Sequence, residues 1–78
     1  MPPLQQRYFD LLIERVRNDR YPSLQLLDRI EAVLYTAEQY TEYVDVLMTK
    51  VDEAWYPSGQ LMDRVQRMLS LAAMAAPA

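Results

Sequence analysis

The hydroxyl groups of Ser23 and Ser58 are the first candidates for chemistry, because each stands in a Tyr-Pro-Ser triplet, at 21–23 and 56–58. A catalytic serine needs a neighbouring base, which is most often histidine. The sequence contains neither histidine nor cysteine, and it shows no glycine-rich phosphate loop and no nucleophile-elbow motif. We therefore predict no catalytic residue, no metal site and no cofactor.

Carboxylates are the other groups that could perform acid–base or metal chemistry. A carboxylate-bridged metal centre in a helical bundle needs inward-facing Glu and His side chains. Four acids instead fall opposite the apolar positions of their predicted helices: Asp10, Glu14, Asp45 and Asp52. We expect them to lie in solvent. The arginines between positions 7 and 20 alternate with acids, which predicts local ion pairs rather than a phosphate-binding surface.

The elements that position these groups follow from an internal repeat. Residues 8–34 and 43–69 align without a gap and are identical at twelve of 27 positions. A period of 35 residues is typical of a two-helix repeat. Within each copy the proline biases the preceding tyrosine away from helical dihedrals, and the serine can cap the next helix. Each copy is therefore predicted to be a helix-turn-helix (α-hairpin) unit with Ser23 or Ser58 as a cap.

The predicted helices span 4–19, 24–35, 37–54 and 59–72, and 73–78 is predicted to be a flexible Ala/Pro tail. Thr36 and Gln39 fit a Thr-x-x-Gln capping box, so Thr36 is a third predicted cap and helices 2 and 3 are expected to be separate. Because no Gly or Pro lies between them, one continuous rod remains the alternative.

The apolar faces of these helices differ in width. On a helical wheel those of helices 1 and 3 sweep roughly 200°, whereas those of helices 2 and 4 sweep roughly 120°. Helix 1 contributes Leu4, Tyr8, Phe9, Leu11, Leu12, Ile13 and Val16, and helix 3 contributes Tyr40, Tyr43, Val44, Val46, Leu47, Met48 and Val51. A lone unit would leave much of the wide face in water. We predict an all-α fold over 1–78 as a single domain, a four-helix bundle of two tandem repeats with pseudo-twofold symmetry. A second chain that covers the wide faces is the alternative.

The paired motif YPS-x-Q-[LM]-[LM]-D-R resembles uncharacterised short tandem-repeat helical proteins of GC-rich bacteria and their phages. Residues 21–29 and 56–64 carry it. The resemblance implies a helical repeat protein, a bacterial or phage accessory protein, and it implies no activity.

Amphipathic rings and repeated polar residues are the candidate contacts to a partner protein. Trp55, Tyr21 and Tyr56 present rings that favour interfaces, and Trp55 is the first of them because its counterpart is an arginine. The alternative is a structural role, with Tyr21 and Tyr56 packed over the turn. Four further polar residues are retained in both copies although core packing does not require them: Gln25, Asp28, Gln60 and Asp63. They form either a local network with the turn or a duplicated recognition patch. Four methionines suit either an irregular core or a partner groove: Met48, Met62, Met68 and Met74.

Composition narrows the function further. The net charge is −3 and neither half of the chain is strongly basic, which disfavours nucleic acid. The start shows no targeting signal and no apolar run reaches membrane-spanning length, so no membrane contact and a cytoplasmic location are expected. We predict a small acidic, non-enzymatic protein-binding module that acts on a partner of unknown identity. The alternative is a self-assembling structural or virion-associated protein, starting from a homodimer, and a helix-turn-helix that binds nucleic acid is a distant third.

Overall fold

The computed structural model describes residues 3–53 and 59–75. Within these ranges all regular structure is helical and no strand occurs, which confirms the all-α prediction. The helices are α1 (Leu4–Asn18), α2 (Leu24–Val33), α3 (Ala37–Glu53) and α4 (Gly59–Ala75). The chain divides into two compact units, Met1–Tyr35 (unit 1) and Thr36–Ala78 (unit 2). Helices α1 and α2 pack together in unit 1, and α3 and α4 pack together in unit 2.

The turn between α1 and α2 is held by two short polar side chains. Asp19 leaves the helix in an extended conformation, so α1 ends one residue before the predicted boundary. Its Oδ1 accepts a hydrogen bond from the Tyr21 backbone N–H at 3.1 Å. Ser23 occupies the N-cap of α2, the position that the sequence predicts for it, and its Oγ accepts from the Leu26 backbone N–H at 3.1 Å. The second predicted turn, with Ser58, lies outside the described residues.

A capping box separates α2 from α3. The Gln39 backbone N–H donates to Thr36 Oγ1 at 3.1 Å, and the Thr36 backbone N–H donates to Gln39 Oε1 at 3.2 Å. Leu34 is extended, so α2 ends at Val33, two residues before the predicted boundary. Of the two alternatives, separate helices are therefore the one found.

The C-terminal end of α4 differs from the prediction. The helix continues to Ala75, three residues past the expected end at 72. The extension lies in an Ala-rich stretch, and alanine has the highest helix propensity. The predicted flexible tail over 73–78 thus begins with helical residues.

Some residues of the predicted apolar faces are exposed rather than buried in the core. The buried apolar side chains are Phe9, Leu12, Ile13, Val16, Leu27, Ile30, Tyr43, Val44, Val46, Leu47 and Met68. The helical wheel also places Leu4, Tyr8, Leu11 and Met48 on the apolar faces, but these four are exposed, so their assignment to the core is wrong. A helical wheel shows which side of a helix is apolar, but it does not show how much of that side another element covers.

The solvated acids lie where the wheel predicts. Asp10, Glu14, Asp45 and Asp52 are all exposed. Arg17 and Glu14 form one of the expected local ion pairs, at 3.1 Å and three residues apart. Such exposed pairs contribute roughly 0–1 kcal/mol, so they contribute little to fold stability.

Candidate functional site

An open apolar groove runs between α3 and α4 in unit 2. Two side chains come from α3 and three from α4: Met48 and Val51, and Met62, Val65 and Leu69. We call these five residues the unit-2 groove. Its volume is about 380 Å³. The groove lies wholly within unit 2, so the packing of one helical hairpin creates it.

The spacing of the groove residues explains how two helices form one surface. Positions 48 and 51 are three apart on α3, and positions 62, 65 and 69 follow each other at intervals of three and four on α4. Residues at these intervals share one helix face. Met48, Met62 and Leu69 are each 44–50% exposed. The two helices therefore present a continuous apolar surface to solvent.

Polar side chains border the groove at two positions. Asp52 follows Val51 on α3, and Gln66 follows Val65 on α4. Both side chains are exposed. A polar edge beside an apolar floor is the pattern of protein-binding surfaces, because the edge orients what the floor binds. The carboxylate of Asp52 places a negative charge at this edge.

A second exposed apolar surface lies on α1 of unit 1. Leu4, Tyr8 and Leu11 are exposed there, followed by exposed Arg15 at the C-terminal side. We call these four residues the α1 stripe. Their spacing of four, three and four residues places them along one face of the helix. Leu11 and Arg15 also line a depression of about 530 Å³ that extends to Leu26 on α2.

The partner-binding residues predicted in unit 1 lie on the surface near the turn. Tyr21 is exposed, and the Arg20 Cζ lies 5.7 Å from the centroid of its ring, within the range of a cation–π contact. Gln25 and Asp28 are exposed on α2. Asp19 and Ser23 supply the side-chain bonds that hold the turn, and Gln25 forms no side-chain hydrogen bond to a described residue.

The corresponding residues of unit 2 divide into two groups. Gln60 and Asp63 are exposed on α4. At 100° per residue they fall on the side of the helix opposite to the unit-2 groove. Trp55 and Tyr56 lie outside the described residues. The structure therefore does not bring the described members of the predicted contact set into the groove, and their role in partner binding stays a prediction.

The methionines are the sequence signal that points to the groove. Met48 and Met62 line it, whereas Met68 is buried in the core and Met74 is exposed outside it. Met68 therefore agrees with the core alternative, and contact of Met48 and Met62 with a partner stays a prediction. Val51, Val65 and Leu69 give no separate signal, because an apolar residue on an amphipathic helix is first assigned to the core.

The described ionisable side chains offer no arrangement for metal chemistry. No group of three or more acidic residues that could hold a metal ion occurs within 3–53 and 59–75. Lys50 is the buried cation of unit 2, with Nζ 3.8 Å from Glu53 Oε2. Its neighbour's carboxylate supplies a counter-charge, which is sufficient to explain a structural role.

Comparison of the chain with protein-family models, curated proteins and solved structures finds no match. The resemblance of the paired YPS motif to bacterial and phage repeat proteins therefore stays a prediction. In the described part of the chain, none of the helices has the length and apolar character needed to cross a bilayer.

Proposed function

We propose that this protein is a non-enzymatic protein-binding module whose unit-2 groove binds an amphipathic helix of another polypeptide chain. The observation that supports the proposal is the open apolar groove between α3 and α4, with its five apolar side chains at helical spacing. A groove between two helices accepts a third helix that presents apolar residues at intervals of three and four. The partner's helix would pack against α3 and α4 in this groove.

The size of the exposed surface agrees with a reversible contact. Complete burial of a Leu or Met side chain contributes about 1.5–3 kcal/mol. The exposed halves of Met48, Met62 and Leu69 would then contribute about 3 kcal/mol in total when they are covered. Association also costs translational and rotational freedom. The groove alone is therefore expected to support weak binding, and contacts at its edge must add to the affinity.

The side chains of the groove favour adaptable binding. Met48 and Met62 carry unbranched, polarisable side chains that adjust to different apolar shapes. The exposed Asp52 at the edge favours a partner helix with a basic residue beside its apolar face. Both features suit recognition of a protein surface.

Two further parts of the proposal concern architecture and location. We propose that the two α-hairpins form one tandem-repeat protein of four helices, because the repeated sequence favours two copies of one unit. A cytoplasmic location is proposed because the sequence contains no cysteine and so needs no oxidising compartment. Neither part is required for the groove to bind a helix.

Site-specific photocrosslinking tests the groove directly, because it joins the protein to whichever chain occupies that surface. The photoreactive residue p-benzoylphenylalanine replaces Met62 in the purified protein, which is then irradiated in a lysate of the native host. Met74 is the matched control, since it is 82% exposed on the same helix and lies outside the groove. We expect discrete protein adducts from position 62 and a weak, nonspecific background from position 74.

A charge in the groove should remove those adducts. Leu69→Glu changes a half-exposed side chain about two helical turns from position 62, so the fold should tolerate it. The proposal is overturned if position 62 gives no adduct above the level of position 74. It is also overturned if the adducts from position 62 persist unchanged when Leu69→Glu is present.

A further inference from the structure

The α1 stripe has a buried counterpart in unit 2. The offset of 35 residues that aligns the repeats relates Leu4, Tyr8, Leu11 and Arg15 to Gln39, Tyr43, Val46 and Lys50. The four residues on α3 are all buried, whereas the four on α1 are all exposed. Val46 is 4% exposed and its counterpart Leu11 is 59% exposed. The same helix face is therefore covered in one unit and open in the other.

The unit-2 groove shows the reverse relationship. Met48, Val51, Met62 and Val65 correspond to Ile13, Val16, Leu27 and Ile30 of unit 1. All four unit-1 residues are buried, at 2% exposure or less. In unit 2 the same positions form the open groove. The stripe positions are thus exposed in unit 1 and buried in unit 2. The groove positions are buried in unit 1 and open in unit 2.

We propose that the unit-2 groove receives the α1 stripe of a second copy of this chain. The proposal rests on the proposed function of the groove and names its partner. The α1 stripe is an exposed amphipathic helix face with a spacing of four, three and four residues, which is the pattern that packs into a groove between two helices. The positions equivalent to the α1 stripe are buried in unit 2, and the positions equivalent to the groove are buried in unit 1. A second copy of the chain therefore offers an exposed helix face with the spacing that such a groove accepts.

Charge favours the same pairing. Arg15 stands at one end of the α1 stripe, and Asp52 borders the groove. Both are exposed, and neither forms an ion pair with another described residue. Unit 1 carries five basic and five acidic residues, whereas unit 2 carries three basic and six acidic ones. A neutral unit 1 does not repel an acidic unit 2, and Arg15 offers the acidic unit a basic group.

The proposed contact is heterologous, because each copy offers its stripe and its groove from different units. Such a contact closes into a ring when the rotation between copies allows it, and otherwise extends with concentration. This property distinguishes it from a symmetric contact in which two stripes or two grooves meet. In a heterologous contact, a copy with a blocked stripe can still pair with a copy whose groove is blocked.

Two variants block the two halves of the contact separately. Leu11→Glu places a charge in the stripe, and Met62→Glu places a charge in the groove. Both side chains are exposed, so both variants should fold, and circular dichroism verifies this. Sedimentation velocity measures mass from low to high micromolar protein. Met74→Glu is the matched control outside both surfaces.

We expect wild type and Met74→Glu to exceed the 9.2 kDa monomer mass as concentration rises. Each blocking variant alone should associate at least about tenfold more weakly, because a charge must be buried. An equimolar mixture of the two variants should form a dimer and nothing larger, because each retains the half that the other lacks. In the crosslinking experiment, adducts from position 62 should contain a second copy joined within residues 4–15.

Three results overturn the proposal. The first is a wild-type protein that remains monomeric at the highest concentration. The second is a single blocking variant that associates as strongly as wild type, since two stripes or two grooves then meet in a symmetric contact. The third is crosslinking from position 62 to other proteins alone, which would remove the second copy as partner while leaving the protein-binding groove intact. Failure of the groove itself would instead appear as no adduct at position 62.

Discussion

Tyr8 and Tyr43 offer a matched test of the unequal burial in the two units. They are the same residue at equivalent positions of the repeat. Tyr43 is fully buried on α3, whereas Tyr8 is 43% exposed on α1. We expect Tyr43→Ala to lower the free energy of unfolding much more than Tyr8→Ala. A sequence repeat considered alone would predict equal losses.

The difference can be worked from exposure. An aromatic side chain buries roughly 200 Å² when fully covered. The exposed fraction of Tyr8 then corresponds to roughly 90 Å², or about 2 kcal/mol at 25 cal/mol per Å². Truncation of a buried aromatic side chain costs about 3–5 kcal/mol, including the cavity left behind. We expect a loss in that range for Tyr43→Ala and a loss about 2 kcal/mol smaller for Tyr8→Ala.

Urea unfolding followed by circular dichroism measures both losses. Low protein concentration keeps self-association out of the comparison. Tyr8→Phe and Tyr43→Phe are the controls, because they keep the ring and remove only the hydroxyl group. Equal losses from the two alanine variants, within the error of the extrapolation, would refute the assignment of Tyr8 to the surface and with it the open α1 stripe.

Three further stability predictions use the same measurement. Ser23→Ala should cost about 1 kcal/mol because α2 loses its N-cap bond, and Ser23→Thr should retain most of it. Thr36→Ala and Gln39→Ala each remove one of the two capping-box bonds, so each should cost about 0.5–2 kcal/mol; an unchanged stability in either variant would contradict the bond that its side chain accepts. Met68→Ala should cost about 2–5 kcal/mol, whereas Met62→Ala should cost under about 1 kcal/mol; a larger loss at Met62 would place that side chain in the core.

Features that depend on neighbouring residues could be predicted from the sequence. The all-helical content follows from apolar periodicity, and the separation of α2 from α3 follows from the Thr-x-x-Gln pattern at Thr36 and Gln39. The placement of Ser23 at the start of α2 follows from the preceding proline and the free amides of a helix start. In each case the partners lie within four residues of each other.

The candidate site could not be predicted in the same way. Periodicity shows which side of a helix is apolar, but it does not show whether another element covers that side. Met48 and Ile13 occupy equivalent positions on equally apolar faces, and only Ile13 is buried. Because burial depends on contacts distant in sequence, the groove emerges only from the packed helices.

Gln39 and Lys50 show why residue type alone misplaces the covered face. Both are polar and buried, while their counterparts Leu4 and Arg15 are exposed. Burial of Gln39 is tolerated because its Oε1 accepts the Thr36 backbone N–H. Lys50 can bury its alkyl chain while its amine remains 3.8 Å from the carboxylate of Glu53. A polar residue can therefore be buried on such a face when a polar partner lies close to it in the chain.

The identities of the groove residues add a reason for the difference between the units. Where unit 1 buries Ile13 and Leu27, unit 2 exposes Met48 and Met62. A branched side chain has few rotamers and suits a fixed core, whereas methionine adapts to a surface that is covered only part of the time. Between the two units, the replacement of Ile or Leu by Met keeps the side chain apolar and makes it more flexible. Under the proposed function, this adaptability would suit a groove whose occupant is a separate molecule that binds and leaves.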